Sequence, residues 1–155
     1  VLSMNNRDHL LTEELQRLRT QIGSDFCSLG LLEGYDRLLK WKLASGNVND
    51  RFLSIIERPG RGLSGSVVKV GRAMQLNVPE LVAARQLHEY AVLLAENLRS
   101  AYAIPLFIGN QVTGILLAGD RKRRIYRTEE RNQIALAGER ITQIVAEQAV
   151  EPKSS

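Results

Sequence analysis

At 155 residues the chain can form one domain with a buried core, and its 44% apolar and 25% charged residues fit an ordinary globular protein. No apolar run reaches the ~18 residues of a membrane span, because Arg or Lys interrupts each candidate. A lone Cys27 has no partner for an internal disulfide, and no apolar stretch precedes a small-residue cleavage site, so a cytoplasmic setting is expected.

The net charge of +4 raises the question of nucleic acid. The basic residues cluster only at Arg121–Arg124, with Arg127 just after, and no aromatic platform, helix-turn-helix or zinc spacing accompanies them. A solvated loop is the simpler reading of that run.

In chain order, Asp8 caps a predicted helix to about Ile22, with Leu11, Leu15, Leu18 and Ile22 in a narrow seam and Gly23 as its stop. Phe26–Leu32 reads as a strand. Leu38–Ala44 alternates, with Leu39, Trp41 and Leu43 on one side and Lys40 and Lys42 on the other. A turn at Arg58–Gly62 leads to a short helix over Ser64–Gly71, then a brief strand holding Met74 and Leu76. Pro79 opens a helix to about Leu98. Ala101–Ile108 and Val112–Ala118 form a hairpin about Gly109–Gln111. Thr128 starts a last helix to about Val150, carrying Ile134, Ala137, Ile141, Ile144 and Gln148. The expected class is α+β: one domain over residues 8–150, an antiparallel sheet with the terminal helices on one side, and tails at 1–7 and 151–155.

The stretch Gly62-Leu63-Ser64-Gly65-Ser66-Val67-Val68, with Gly71 after it, resembles the short-helix signature of GAF domains. So does Leu98-Arg99-Ser100-Ala101-Tyr102-Ala103-Ile104-Pro105-Leu106, followed by Gly109, Val112, Gly114 and Leu116. The resemblance implies a ligand cavity on the sheet face opposite the terminal helices. A narrower resemblance is to the free-standing GAF nitrate receptors of bacterial nitrate respiration. It implies a pocket of Trp41, Leu63, Ser64, Tyr90 and Val92, nitrate as ligand with no cofactor, and a sensor histidine kinase as two-component partner. In those receptors the ligand-free form holds the kinase down and nitrate relieves it.

The residues suit an anion. The amides of Leu63, Ser64, Gly65 and Ser66 would open a helix without intrahelical acceptors, and Gly62 and Gly65 allow close approach. Trp41 would cover a flat ligand. Without a cation, affinity is expected on the order of 10–100 μM. Taken alone, Gly62 and Gly65 equally shape a turn, and Trp41 and Tyr90 equally fill a core.

An enzyme is not expected. His9 and His88 fall on separate helices, two His and one Cys give no metal-ligand spacing, and Cys27 lacks an activating base. The alternatives to a nitrate sensor are a GAF module for a nucleotide or aromatic metabolite, or an empty-pocket dimerisation module. The leucine seam predicts a homodimer built from the first and last helices. No sequence-specific nucleic-acid partner and no membrane association are expected. Retention on DNA should fall steeply with salt and be equal for unrelated sequences. A footprint on one promoter at physiological salt would contradict that.

Overall fold

In a computed structural model, residues 5–150 are described, with side chains through residue 147. Asn5, not Asp8, caps α1 (Asn6–Ile22): its Oδ1 accepts the Asp8 N–H at 2.8 Å. Asn6 and Arg7, expected in a tail, are therefore helical, whereas residues 1–4 and 151–155 lie outside the described residues.

Six antiparallel strands follow: β1 (Phe26–Glu33), β2 (Leu38–Ser45), β3 (Ile56–Glu57), β4 (Met74–Asn77), β5 (Ser100–Ile108) and β6 (Gln111–Asp120). They form one sheet in the order β3-β2-β1-β6-β5-β4. Between β3 and β4 lies a short helical segment. Two brief helices, α2 (Val78–Ala83) and α3 (Ala91–Ala95), cross between β4 and β5, and α4 (Thr128–Val150) closes the chain.

Alternation along the strands divides the core in two. Cys27, Leu29 and Leu31 of β1 and Leu116 and Ala118 of β6 face α1 and α4. Phe26, Ile115 and Leu117 face the loops and short helices. This is the expected α+β arrangement with the terminal helices on one side. The seam residues Leu11, Leu15 and Leu18 are fully buried within the chain beside Ile134, Ala137 and Ile141, so they are not free to join two subunits. Arg140 Nε ties α4 to Glu14 of α1 at 2.8 Å. Gln148, expected on the α4 stripe, lies beyond the described side chains.

A β-bulge corrects the expected pattern of β2. Gly30 pairs with Trp41 while Leu29 pairs with Leu43, leaving Lys42 as the extra residue. Trp41 therefore points to the loop side with Leu39, but Leu43 packs on the helix side. Gly30 makes the space: a Cβ there would stand 3.1 Å from Leu39 Cδ1 and 3.2 Å from Trp41 Cε3.

The helix expected from Pro79 to Leu98 is broken. Arg85 and Asn97 adopt φ +58° and +53°, and the amides after them reach back to Leu81 and Leu93 (Gln86 N–H to Leu81 O, 2.8 Å; Leu98 N–H to Leu93 O, 2.9 Å). Each is a left-handed helix stop of the kind glycine usually makes. The breaks let Leu81, Tyr90 and Leu93 all turn to the same core.

Half of the basic run points inward. Arg121 Nη2 pairs with the fully buried Glu96 at 2.6 Å, and Arg124 binds Asp120 at 3.2 Å as well as Glu130 and the Ile22 carbonyl at the end of α1. Asp120 also accepts the Tyr126 hydroxyl at 2.7 Å. These arginines clamp the β6–α4 connection onto α1 and the α3 loop, while Lys122, Arg123 and Arg127 stay exposed.

Leu15→Ala should lower unfolding stability by about 2–5 kcal/mol in urea, the range for emptying a tightly packed leucine site. Because the side chain packs within the chain, the sedimentation coefficient of the folded variant should not change.

Candidate functional site

The turn Arg58–Arg61 and a helical run over residues 62–70 stand against the loop side of the sheet. The centre of that run, Ser64–Val68, is a π-helical turn. Gly62, at φ +51°, is required: a Cβ would meet the Glu89 carbonyl at 2.3 Å and Glu57 Oε1 at 2.5 Å. Gly65 is required for a different contact, because its Cβ would meet the Gly60 carbonyl at 2.5 Å.

Trp41, Leu63, Tyr90 and Val92 meet in one buried cluster. At their polar centre lies a residue the sequence reading passed over. Glu57, on the two-residue strand β3, is only 5% exposed. Its Oε1 accepts the Leu63 N–H at 2.9 Å and its Oε2 accepts the Trp41 indole N–H at 3.2 Å. The Ser64 amide adds to that hold. Among the described residues, no ion pair reaches this carboxylate.

The consequence is a shifted ionisation. Burial raises the Glu57 carboxyl from 4.5 to about 7, and the N–H donors of Leu63, Trp41 and Ser64 only partly oppose it. N–H donors of this kind can hold a planar anion without a cation. Here a side-chain carboxylate fills that role.

The expected amide set needs correction. Of the four amides proposed, that of Leu63 donates to Glu57 and that of Gly65 to the Arg61 carbonyl at 3.0 Å. Gly65 thus shapes the turn and offers no donor. Ser66 directs its hydroxyl to the Gly62 carbonyl at 2.9 Å. Ser64 is buried, and its Oγ has no partner among the described residues. Trp41 is a donor as well as a cover. Beside Ser64 runs an open groove of about 580 Å³, bordered by Arg37, Pro59, Gly60 and Lys69.

Burial pushes the Cys27 thiol up to about 12, so it is no nucleophile at neutral pH. Among the described residues, no cluster of three His, Cys, Asp or Glu side chains could hold a metal, and no helix is long and apolar enough to cross a membrane.

The model of the GAF domain family matches residues 5–146. The chain belongs to the GAF family. A mutated NreA protein of Staphylococcus aureus, altered in its nitrate-binding site, is 37% identical, with 78% of this chain and 93% of that one aligned at a TM-score of 0.70. A hypothetical protein from S. aureus is 39% identical over 74% of this chain and 95% of that one, with a TM-score of 0.68. The GAF domain of an Acinetobacter phosphoenolpyruvate-protein phosphotransferase is 16% identical, aligning 98% of this chain and 90% of that one at a TM-score of 0.77. That last likeness bears on the fold alone. No curated protein matches the chain.

Only Glu57 could have been sought further in the sequence of this GAF domain. It follows the apolar pair Ile55-Ile56 and stands six residues before Leu63, the first of the glycine-flanked Leu63 and Ser64 amides. Without the β2–β3 pairing it reads as an ordinary surface acid.

The folded-state value lies above the unfolded one, so the bound proton stabilises the fold. That contribution is complete below about pH 4.5 and is lost as the pH rises through about 7. In urea unfolding, the stability of the protein minus that of Glu57→Gln should therefore fall by about 3 kcal/mol from pH 4.5 to above pH 7. A flat difference would place the carboxylate in water.

Proposed function

We propose that this GAF domain is a non-catalytic nitrate sensor that regulates a partner sensor histidine kinase in a cytoplasmic two-component system for nitrate respiration. The observation that carries the reading is the convergence of the Trp41 indole N–H and the Leu63 amide on one planar O–C–O group, in an apolar cluster where, among the described residues, no ion pair reaches it. Nitrate offers the same trigonal oxygens and one negative charge, and it sheds water easily. Sulfate and phosphate carry more charge and demand more donors than these, so they fit poorly. The site residues are Trp41, Gly62, Leu63, Ser64, Tyr90 and Val92: two supply N–H groups beside the indole, Gly62 permits the approach, and Tyr90 and Val92 keep water out. The likeness to NreA proteins altered in a nitrate-binding site adds weight to nitrate, while the kinase as recipient of the signal rests on the resemblance read in the sequence.

The expected homodimer also belongs to this reading. Because the leucine seam is buried within each chain, it would use the outer faces of α1 and α4, where Leu10 and Leu136 are half-exposed.

At pH 6, titration calorimetry should give one nitrate site per chain, and sulfate should bind far more weakly. Trp41→Phe keeps an aromatic ring in the core but removes the donor, and should weaken nitrate by about 1 kcal/mol, roughly fivefold. No heat at millimolar nitrate, or sulfate binding as tightly, would overturn the assignment. Kinase autophosphorylation with this protein present should change when nitrate is added; a nitrate-independent rate would remove the signalling role.

A further inference from the structure

The donors that would recognise nitrate are already in use. Glu57 Oε1 and Oε2 take the Leu63 amide at 2.9 Å and the Trp41 indole at 3.2 Å, in a pocket where no cation pairs with the carboxylate. An N–H group serves one good acceptor at a time. Two anions in one apolar pocket would also repel strongly, with little solvent to screen them. We propose that Glu57 is a tethered competitor for the anion site: a small external anion binds only by taking the Trp41 and Leu63 N–H donors from its side chain. This makes Glu57 the residue that sets affinity. It rests on the reading of these donors as the ligand site.

The local structure is suited to such an exchange. Glu57 lies on an edge strand paired through only two residues, Leu39 with Glu57 and Lys40 with Ile56. The turn after it, Arg58–Arg61, closes on the Arg61 N–H to Arg58 carbonyl bond at 3.1 Å, and Gly60 within it adopts a positive φ. The buried Ser64 Oγ, four per cent exposed as a residue and without a partner, is a polar group beside the site that Glu57 leaves unsatisfied. Ser64 also borders the open groove in which Arg37 and Lys69 stand, which gives a displaced carboxylate a wetter and more positive neighbourhood.

The competition depends on protonation. A protonated Glu57 brings no second negative charge and releases the donors more readily. Among the described residues, the ionisable groups on the elements around it form no ion pair with its oxygens. Lys40 and Lys42 of β2 pair with Glu33, Arg61 of the turn pairs with Glu89, and no ion pair joins Arg58 or His88 to Glu57. The ionisation that gates entry is therefore that of Glu57 itself, near pH 7.

Nitrate and formate titrations, followed by calorimetry and Trp41 fluorescence, test this on the protein, Glu57→Ala and Glu57→Gln. Formate is the carboxylate of Glu57 as a free anion. The protein should bind nitrate about tenfold more tightly at pH 6 than at pH 8, as the competent fraction grows. Glu57→Gln, nearly isosteric, should lose that dependence. Glu57→Ala should bind both anions more tightly than the protein does at pH 8. Nitrate binding to Glu57→Ala alone would support the competitor and overturn nitrate sensing by this chain. Formate binding to Glu57→Ala, with nitrate binding to neither, would do the same. Equal affinities of the protein and both variants at pH 8, with one shared pH profile, would overturn the competitor and leave the nitrate reading standing.

Discussion

A buried carboxylate without a cation can exist only if N–H donors surround it or if it keeps its proton, and the loop side of this GAF domain is organised around that requirement. The Glu57 oxygens draw the Trp41 indole from β2 and the first amides of the 62–70 segment to one point. They thereby join the sheet edge to the helical segment across the pocket. Gly62 is fixed by the same constraint, because any side chain there would collide with Glu57 Oε1 and the Glu89 carbonyl. The hydrogen bonds lower the cost of burial without cancelling it, which is why ionisation falls near neutrality. A site of this kind holds charge loosely, and loose holding is what an exchangeable ligand requires.

The geometry that brings Trp41 to that point begins one strand away. Lys42 is the extra residue of the bulge opposite Leu29 and Gly30, and it divides β2 between the two cores. Upstream of it, Leu39 and Trp41 serve the pocket; downstream, Leu43 serves the helix layer. A bulge bends and twists the strand it enters, here at the place where a large indole must lie against the sheet. The absent side chain of Gly30 provides the remaining room.

At the end of β6 the same chain uses its charge for structure. Arg121 and Arg124 lie in a basic run that resembles a nucleic-acid patch in one dimension, yet their partners are the buried Glu96 and Asp120. Removing an acid from such a pair leaves a guanidinium poorly solvated, so the clamp holds the end of β6 against α1. The rigid helix layer and the loosely pinned β3 edge are thus two unequal halves of one sheet.

The sequence alone determined the α+β class, the hairpin about Gly109–Gln111, the amphipathic terminal helices and the element order apart from β3 and the break of the Pro79–Leu98 helix, because periodicity and turn chemistry are local properties. It carried Trp41, Leu63, Tyr90 and Val92 to one list through family resemblance, and folding brings those four into one cluster. Tertiary structure decided what local patterns cannot encode. The leucine seam of α1 could face a second chain or its own sheet, and only packing settled it in favour of the sheet. The side chain of Leu43 was reversed by the bulge at Lys42 in its own strand, which only the pairing with β1 reveals. Gly65 changed role when Gly60, on the other side of the Arg58–Arg61 turn, proved to be its nearest neighbour, and the basic run when Glu96 and Asp120 proved to be buried partners of its arginines. Glu57 was hidden most completely. Its environment consists of an indole sixteen residues upstream and amides beginning six residues downstream, and the free energy of a buried charge depends on such three-dimensional surroundings rather than on its neighbours along the chain.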